Sequence, residues 1–436
     1  MSKIYLVSLG CDKNRVDGEV MVGTLRLAGY EVVNNPEVAE AIIINTCGFI
    51  SDAVQESVDM VFELAEYKKS GNCRALVIVG CMAERYKNEI TKTIPEADAI
   101  IGVGQYEKIA EVINSVLVQS FEPLENTGLA RLSARHDAEA SHIAYIKISE
   151  GCDNHCTYCT IPQIRGAYKS RPMEEILEES RLLVEVGAKE LVIVAQDTAQ
   201  YGADIYGTKK LPELLKKIAE TSGALWIRLM YAYPEHITPA LIDVMAETPQ
   251  ICKYIDMPIQ HSEDKILTAM GRKNGKRELE QLIGVLRERI PEIAIRTTLM
   301  VGFPSETSED FQNMYNFAKS QKFDRMGAFP YSREEGTKAA EMPRQVKPET
   351  KQKRLAKIME LQQKIHFAAQ QEKVGQTLQI MVDTSEGNTY TGRTQHDAYE
   401  VDAIVTFTSE TPLKPGEIHA VKITAAYDYD LQGVAT

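Results

Sequence analysis

Three times in the first 81 residues a short apolar run ends at a cysteine. Ile4–Gly10 leads into Cys11, Ala41–Thr46 into Cys47 and Ala75–Gly80 into Cys81. A nearly continuous apolar run of this length is the mark of a strand buried on both faces of a parallel sheet. The intervening stretches read as helices: 17–29 closes at a glycine, and 51–69 opens at a serine suited to capping. The pattern is therefore βαβαβ. In a parallel sheet the C-terminal strand ends share one edge, the edge at which open α/β sheets bind ligands. Cys11, Cys47 and Cys81 should converge there as a three-thiolate metal site, although 36 and 34 residues separate them. Three buried core cysteines are the plainer alternative, and their recurrence at one structural position weighs against it. Cys73 precedes its strand and reads as structural, as does Cys252.

A second set is local: Cys152-Asp-Asn-His-Cys156-Thr-Tyr-Cys159, a C-x3-C-x2-C cluster. Such clustering points to metal or redox chemistry more often than to disulfides. Zinc would want four ligands, and His155, next to Cys156, is poorly placed to share an ion with it. An iron–sulfur cluster is usually held by four thiolates, so three in one loop leave one iron open for chemistry.

The spacing of elements predicts the rest. A strand-like segment at 97–104 and a helix at 106–118 complete an N-terminal α/β domain over 1–118. Residues 119–140 are polar and read as a linker. From 141 to 366, strand candidates at 144–149, 190–195, 226–231, 254–257, 293–301 and 324–331 alternate with helices at 173–186, 211–221, 239–247, 276–289 and 309–320. Six βα units imply an open, partial (β/α)6 barrel, with the Cys152 loop following its first strand on the face where barrel active sites lie. A helix at 347–373 carries Leu355, Ile358, Leu361 and Ile365 on one side. The final segment, 367–436, turns to short strands and glycine turns, the pattern of a small antiparallel β-barrel.

The chain carries 49 Lys+Arg against 62 Asp+Glu, a net charge of −13, and no apolar run approaches membrane-spanning length. The N-terminus is too short and strand-like for a signal peptide, so a cytoplasmic location without a membrane partner is expected. From Glu372 to Thr436 ten acidic residues face four basic ones, a net of −6. Small barrels of this kind often hold RNA, but a phosphate-tracking surface should be positive. Nucleic acid is therefore not expected as substrate.

The motif Gly151-Cys-Asp-Asn-His-Cys-Thr-Tyr-Cys-Thr-Ile-Pro162-x2-Arg165-Gly166-x3-Ser170-Arg171 resembles the radical S-adenosylmethionine (SAM) methylthiotransferases. That family has an N-terminal cluster-binding domain, a radical SAM barrel and a C-terminal TRAM barrel, in the order seen here. The branch acting on a ribosomal protein matches best, through Val7-Ser-Leu-Gly-Cys11-Asp-Lys-Asn14, Asn45-Thr-Cys47-Gly-Phe-Ile50, Gln196-Asp-Thr198 and Gly392-Arg393-Thr394. Two positions depart from the pattern: Gly18, where serine is common, and Ser305, where glycine is usual. The resemblance implies that Cys152, Cys156 and Cys159 hold a [4Fe-4S] cluster whose open iron binds SAM, which is cleaved to a 5′-deoxyadenosyl radical. It implies that Cys11, Cys47 and Cys81 hold a second [4Fe-4S] cluster carrying the sulfur, and that a second SAM gives the methyl group. The implied substrate carbon is Cβ of an aspartate in small-subunit ribosomal protein S-twelve, a basic partner. The one-electron donor is unknown.

Further cofactor-binding candidates follow from the same resemblance. Tyr158 would lie near the adenine, Gln196 would face SAM from the end of the second barrel strand, and Gly302 would admit adenosine close to the backbone. Arg165 and Arg171 are placed to pair with a carboxylate. His261 reads as structural rather than catalytic. Two rival functions are a tRNA adenosine methylthiotransferase, which a basic tail would favour, and a non-catalytic iron–sulfur carrier or electron-transfer protein.

Overall fold

The computed structural model describes residues 2–117 and 141–436, which form two compact units. The stretch read as a linker, 119–140, lies outside the described residues, as does the end of the helix expected at 106–118. The first unit consists of the N-terminal residues together with Glu150–His155 and Cys159–Lys169. Its sheet contains β1 (Lys3–Ser8), β2 (Glu31–Val33), β3 (Ala41–Thr46), β4 (Ala75–Gly80) and β5 (Ala99–Ile101), in the order β2-β1-β3-β4-β5. All its pairings are parallel. Every residue of β3 and β4 is buried, because alternate side chains feed two cores. Ile43, Val77 and Val79 enter one, and Ile42, Ile44, Leu76 and Ile78 the other. The three-residue β2 is too short to announce itself in the sequence. The helix expected from residue 17 begins directly after Cys11 and runs Asp12–Leu27. The helix expected at 51–69 is two pieces, Ser51–Ala65 and Tyr67–Ser70, and Ile50 rather than Ser51 occupies its N-cap position.

The second unit contains a six-stranded parallel sheet: β6 (Ile143–Lys147), β7 (Glu190–Val194), β8 (Trp226–Leu229), β9 (Ile251–Asp256), β10 (Ala294–Val301) and β11 (Arg325–Pro330). The strands neighbour one another in chain order. Helices Met173–Glu185, Leu211–Thr221, Pro239–Glu247, Lys276–Arg289 and Ser308–Gln321 separate them from β6–β7 onwards. One continuous apolar core joins strands and helices. This is the open partial barrel. The long helix runs Pro348–Gln371, so the boundary expected between 366 and 367 falls inside it.

The chain ends in a closed barrel of β12 (Thr377–Glu386), β13 (Thr389–Arg393), β14 (Val405–Thr408), β15 (Ile418–Ala426) and β16 (Leu431–Ala435). Four of its pairings are antiparallel, and the β14–β16 pairing that closes it is parallel. Its acidic residues do not all face outward. Asp383 binds Arg393 at 2.8 Å and His142 at 2.9 Å. Arg393 reaches Glu190 at 2.7 Å, and Glu190 holds Arg228 at 2.6 Å. Asp397 pairs with Arg325, and Asp402 accepts from the Tyr254 hydroxyl at 2.7 Å and faces Arg296 at 3.4 Å. Glu190, Arg325 and Arg296 stand at or near the N-terminal ends of their strands, so this network occupies that end of the six-stranded sheet. Removing one partner from a buried ionic network of this kind costs about 3–5 kcal/mol, because the other charge stays buried and unpaired.

Candidate active site

In the first unit the three strand-end cysteines do converge. Gly10, at φ +89°, lies so close to Cys47 that a Cβ there would stand 2.8 Å from its Cβ and 2.9 Å from its Sγ. A Cβ on Gly48 would meet the backbone of Cys81 and Met82 at 2.7–2.8 Å. Burial pushes the Cys47 thiol up, and Cys11 adds to this while Arg165 opposes it. Burial takes the Cys81 thiol to about 11, again with Arg165 pulling it down and with Cys11 and Cys47 both acting on it. Gly18 packs its helix onto the Ser8 side chain, where a Cβ would lie 2.3 Å from the Ser8 Oγ, so no side chain fits at this position.

The centre of this site is Asn14, fully buried. Its Nδ2 donates to the carbonyls of Leu9 at 2.9 Å and Thr46 at 3.0 Å. Its Oδ1 accepts from Arg165 Nη2 at 2.6 Å and from the Cys81 thiol at 3.7 Å. Its own carbonyl accepts from Asn45 Nδ2 at 2.8 Å. Arg165 also pairs with Asp17 at 3.1 Å and Glu150 at 2.9 Å, its side chain 1% exposed. Nearby in the same unit, Cys152 N donates to Gly166 O at 3.2 Å, Ile161 N to Cys159 Sγ at 3.5 Å, and Thr160 Oγ1 to Phe49 O at 3.3 Å.

In the second unit, Cys156 lies 3.2 Å from the Tyr233 hydroxyl. The Arg272 guanidinium stacks on the Tyr233 ring at 3.7 Å. Tyr158 meets Phe303 edge to face at 6.5 Å. Gln196 follows β7, and Gly302 follows β10 at φ +74°, where a Cβ would collide with the Lys351 side chain. The backbone N–H groups of Gly302 and Phe303 donate to Glu306 at 2.6 and 3.1 Å. Arg171 pairs with Glu179 at 2.6 Å. Both arginines singled out by sequence therefore hold carboxylates of this chain itself. His261 is fully buried, accepts from Glu263 N at 3.0 Å, and burial lowers its pKa to about 3, so the ring is neutral.

The N-terminal residues 3–102 match an uncharacterized protein family (UPF0004), residues 146–318 the radical SAM superfamily, and residues 374–435 the TRAM domain. The whole chain is 47% identical to the ribosomal protein uS12 methylthiotransferase RimO of Desulforamulus reducens, covering 99% of each. It is 46% identical to the protein of the same name from Clostridioides difficile, covering 99% of this chain and 98% of that one. The chain belongs to the RimO family. A radical SAM methyltransferase, TsrM from Kitasatospora setae, solved with cobalamin and a [4Fe-4S] cluster, shares the fold of this RimO-family chain at TM-score 0.55. That likeness comes with 13% identity and covers 90% of this chain and 81% of that one.

Among the described residues, no three His, Cys, Asp or Glu side chains are arranged to hold a single metal ion. The donor set suits a cluster, which takes several thiolates, each on a different iron. The cradle fits as well: Gly10 and Gly48 leave no volume for a side chain beside Cys47 and Cys81. Sequence reasoning for this RimO-family chain missed Asn14 as a site residue. Its only sequence signal is position: an asparagine three residues after the first strand-end cysteine.

Proposed function

We propose that this chain inserts a methylthio group at Cβ of an aspartate in ribosomal protein uS12, using two [4Fe-4S] clusters and SAM. The observation that carries the reading is the full-length similarity to RimO proteins of a chain whose Cys11, Cys47 and Cys81 meet at one sheet edge. When bound, the clusters and SAM supply the one-electron chemistry, the sulfur and the methyl group needed to replace an unactivated C–H bond by C–S.

The chain's own residues bind and orient. Cys152, Cys156 and Cys159 hold the cluster that takes SAM, with Tyr233 steadying Cys156. Cys11, Cys47 and Cys81 hold the other. Tyr158 and Gly302 form the SAM-facing wall, where Glu306 fixes the backbone of Gly302 and Phe303, and Gln196 contacts SAM. Arg165 and Arg171 act through the carboxylates they hold rather than on SAM. The TRAM barrel, with Glu386, Glu400 and Glu410 exposed, offers a basic protein the right sign and an RNA the wrong one. No helix among the described residues is long and apolar enough to cross a membrane.

The reconstituted chain, with reductant and SAM, should add a methylthio mass to uS12 and none to tRNA, read by mass spectrometry. A gain on tRNA alone would make it a tRNA-modifying enzyme. Failure to form any 5′-deoxyadenosine would leave an electron carrier.

A further inference from the structure

Asn14 contacts all three strand-end cysteine segments of the first unit. One amide nitrogen ties the carbonyl two residues before Cys11 to the carbonyl just before Cys47. The same side chain's oxygen faces Cys81 and receives Arg165. The three cysteine loops come from strands far apart in sequence, so their mutual register depends on cross-links of this sort. A buried amide with all its hydrogen-bonding capacity engaged fixes that register. Arg165 cannot serve a distant ligand at the same time. Its two terminal nitrogens are taken by Asn14, Asp17 and Glu150 inside a buried pocket.

We propose that Asn14 is the positioning residue of the Cys11–Cys47–Cys81 site and that Arg165 is a fixed cation set beside that cluster to raise its potential, an inference resting on the reading of the triad as a cluster site. Two acidic partners hold the guanidinium in place, and its Nη2 shares the Asn14 Oδ1 acceptor with the Cys81 thiol, at 2.6 and 3.7 Å, which sets the positive charge beside the triad. A cation near an iron–sulfur cluster favours the reduced, more negative form, so net local charge is one of the levers that set its potential.

The test uses the full chain carrying Cys152→Ala, Cys156→Ala and Cys159→Ala, so that only the triad can take up iron. After anaerobic reconstitution with iron and sulfide, iron per chain, the EPR spectrum of the reduced protein and the midpoint potential are measured. Asn14→Leu, close in size, should retain about tenfold less iron against a chelator, as expected for loss of several buried hydrogen bonds. Asn14→Asp keeps the acceptor for Arg165 but loses both donors, and should bind iron weakly with an altered EPR spectrum. Asn114→Leu is the control: this buried amide of the same unit pairs with Tyr30, and its loss should leave iron uptake unchanged. Arg165→Gln should keep the cluster and move its potential to more negative values, a readout that a merely structural role would not shift. Circular dichroism checks folding, and if Asn14→Leu does not fold, Asn14→Asp and Arg165→Gln decide. Full iron uptake with an unchanged EPR spectrum in Asn14→Asp, together with an unchanged potential in Arg165→Gln, would overturn the inference. Failure of the parent triple variant to take up any cluster would instead overturn the reading of the triad.

Discussion

The two cysteine sets of this chain are built in opposite ways. Cys152, Cys156 and Cys159 lie within eight consecutive residues, so one loop supplies all three ligands and chain connectivity alone keeps them together. Cys11, Cys47 and Cys81 span 71 residues and meet only because three parallel strands end at one edge. The local set needs little more than a loop conformation. The assembled set needs the sheet, two glycines without side chains and a buried amide to hold its register. A local site should therefore tolerate damage to the fold around it better than an assembled one, while direct loss of a ligand should be fatal to either.

The largest effects should come from the ligands themselves and should separate the two sets by function. Replacing Cys152, Cys156 or Cys159 by alanine is expected to abolish 5′-deoxyadenosine formation. Replacing Cys11, Cys47 or Cys81 is expected to leave SAM cleavage intact and to stop sulfur insertion into uS12. Chromatography for 5′-deoxyadenosine and mass spectrometry of uS12 on the same samples give both answers. Identical behaviour of the two sets would dissolve the proposed division of labour.

A pair of glycine substitutions then probes how each set is held. Gly10→Ala places a side chain at φ +89° against Cys47, and a left-handed alanine alone costs about 1–2 kcal/mol. Gly151, at φ +72°, precedes Cys152 and is crowded by the carbonyls of Gly166 and Ala167, so Gly151→Ala is the matching change at the local set. Each should lower cluster occupancy several-fold at its own set and spare the other. A larger loss at Gly10, in spite of the closer clash at Gly151 (2.1 Å to Ala167 O against 2.8 Å to Cys47 Cβ), is the outcome expected of a set assembled across the sheet. Iron counting in variants keeping one cysteine set shows which loss is greater, and equal losses would mean that assembly across the sheet brings no special fragility.

Much of this was legible in the sequence, for a physical reason in each case. Both cysteine sets could be read because one is a spacing and the other a repeated strand end. The parallel sheets followed from apolar runs, and the order of the barrel strands from simple alternation. What stayed hidden were pairings between distant positions. Nothing local to Arg165 says that its partners are Asn14 and Asp17, about 150 residues earlier. The tail's net charge was also readable, but not its division: Asp383, Asp397 and Asp402 turn inward to the barrel arginines and His142.

That division sets the next test. Reversing Glu386, Glu400 and Glu410 to lysine should raise KM for uS12 by roughly five- to tenfold at low salt, with kcat nearly unchanged, since exposed charges steer encounter more than they hold a complex. The inward acids should behave oppositely. Burial alone would raise the Asp397 carboxyl, but Arg325 and Lys373 hold it well below the usual carboxylate range. A group with a depressed folded pKa stabilises above its unfolded value and loses that contribution on acidification, here below about pH 4. Asp397→Asn should thus lower stability at neutral pH and flatten its fall in acid, with KM for uS12 unaffected. A KM change from Asp397→Asn as large as from the outward triple reversal would erase the distinction between latch and docking face.

The smallest expected effect concerns the loop after β10, on the unit that carries Cys156. Ser305 sits at φ +69°, a conformation that suits glycine. Its backbone N–H donates to Arg344 O at 2.9 Å, so the local path is fixed and a side chain cannot relax it by rotation. Ser305→Gly relieves the left-handed strain, partly offset by the greater freedom glycine gives the unfolded chain. The net should be a gain of about 0.5–1 kcal/mol, read from the denaturant midpoint of the unfolding transition. The change touches no ligand of either cysteine set, so iron content should not move. An unchanged or lowered midpoint would mean that Ser305 makes up for its strain through contacts of its own.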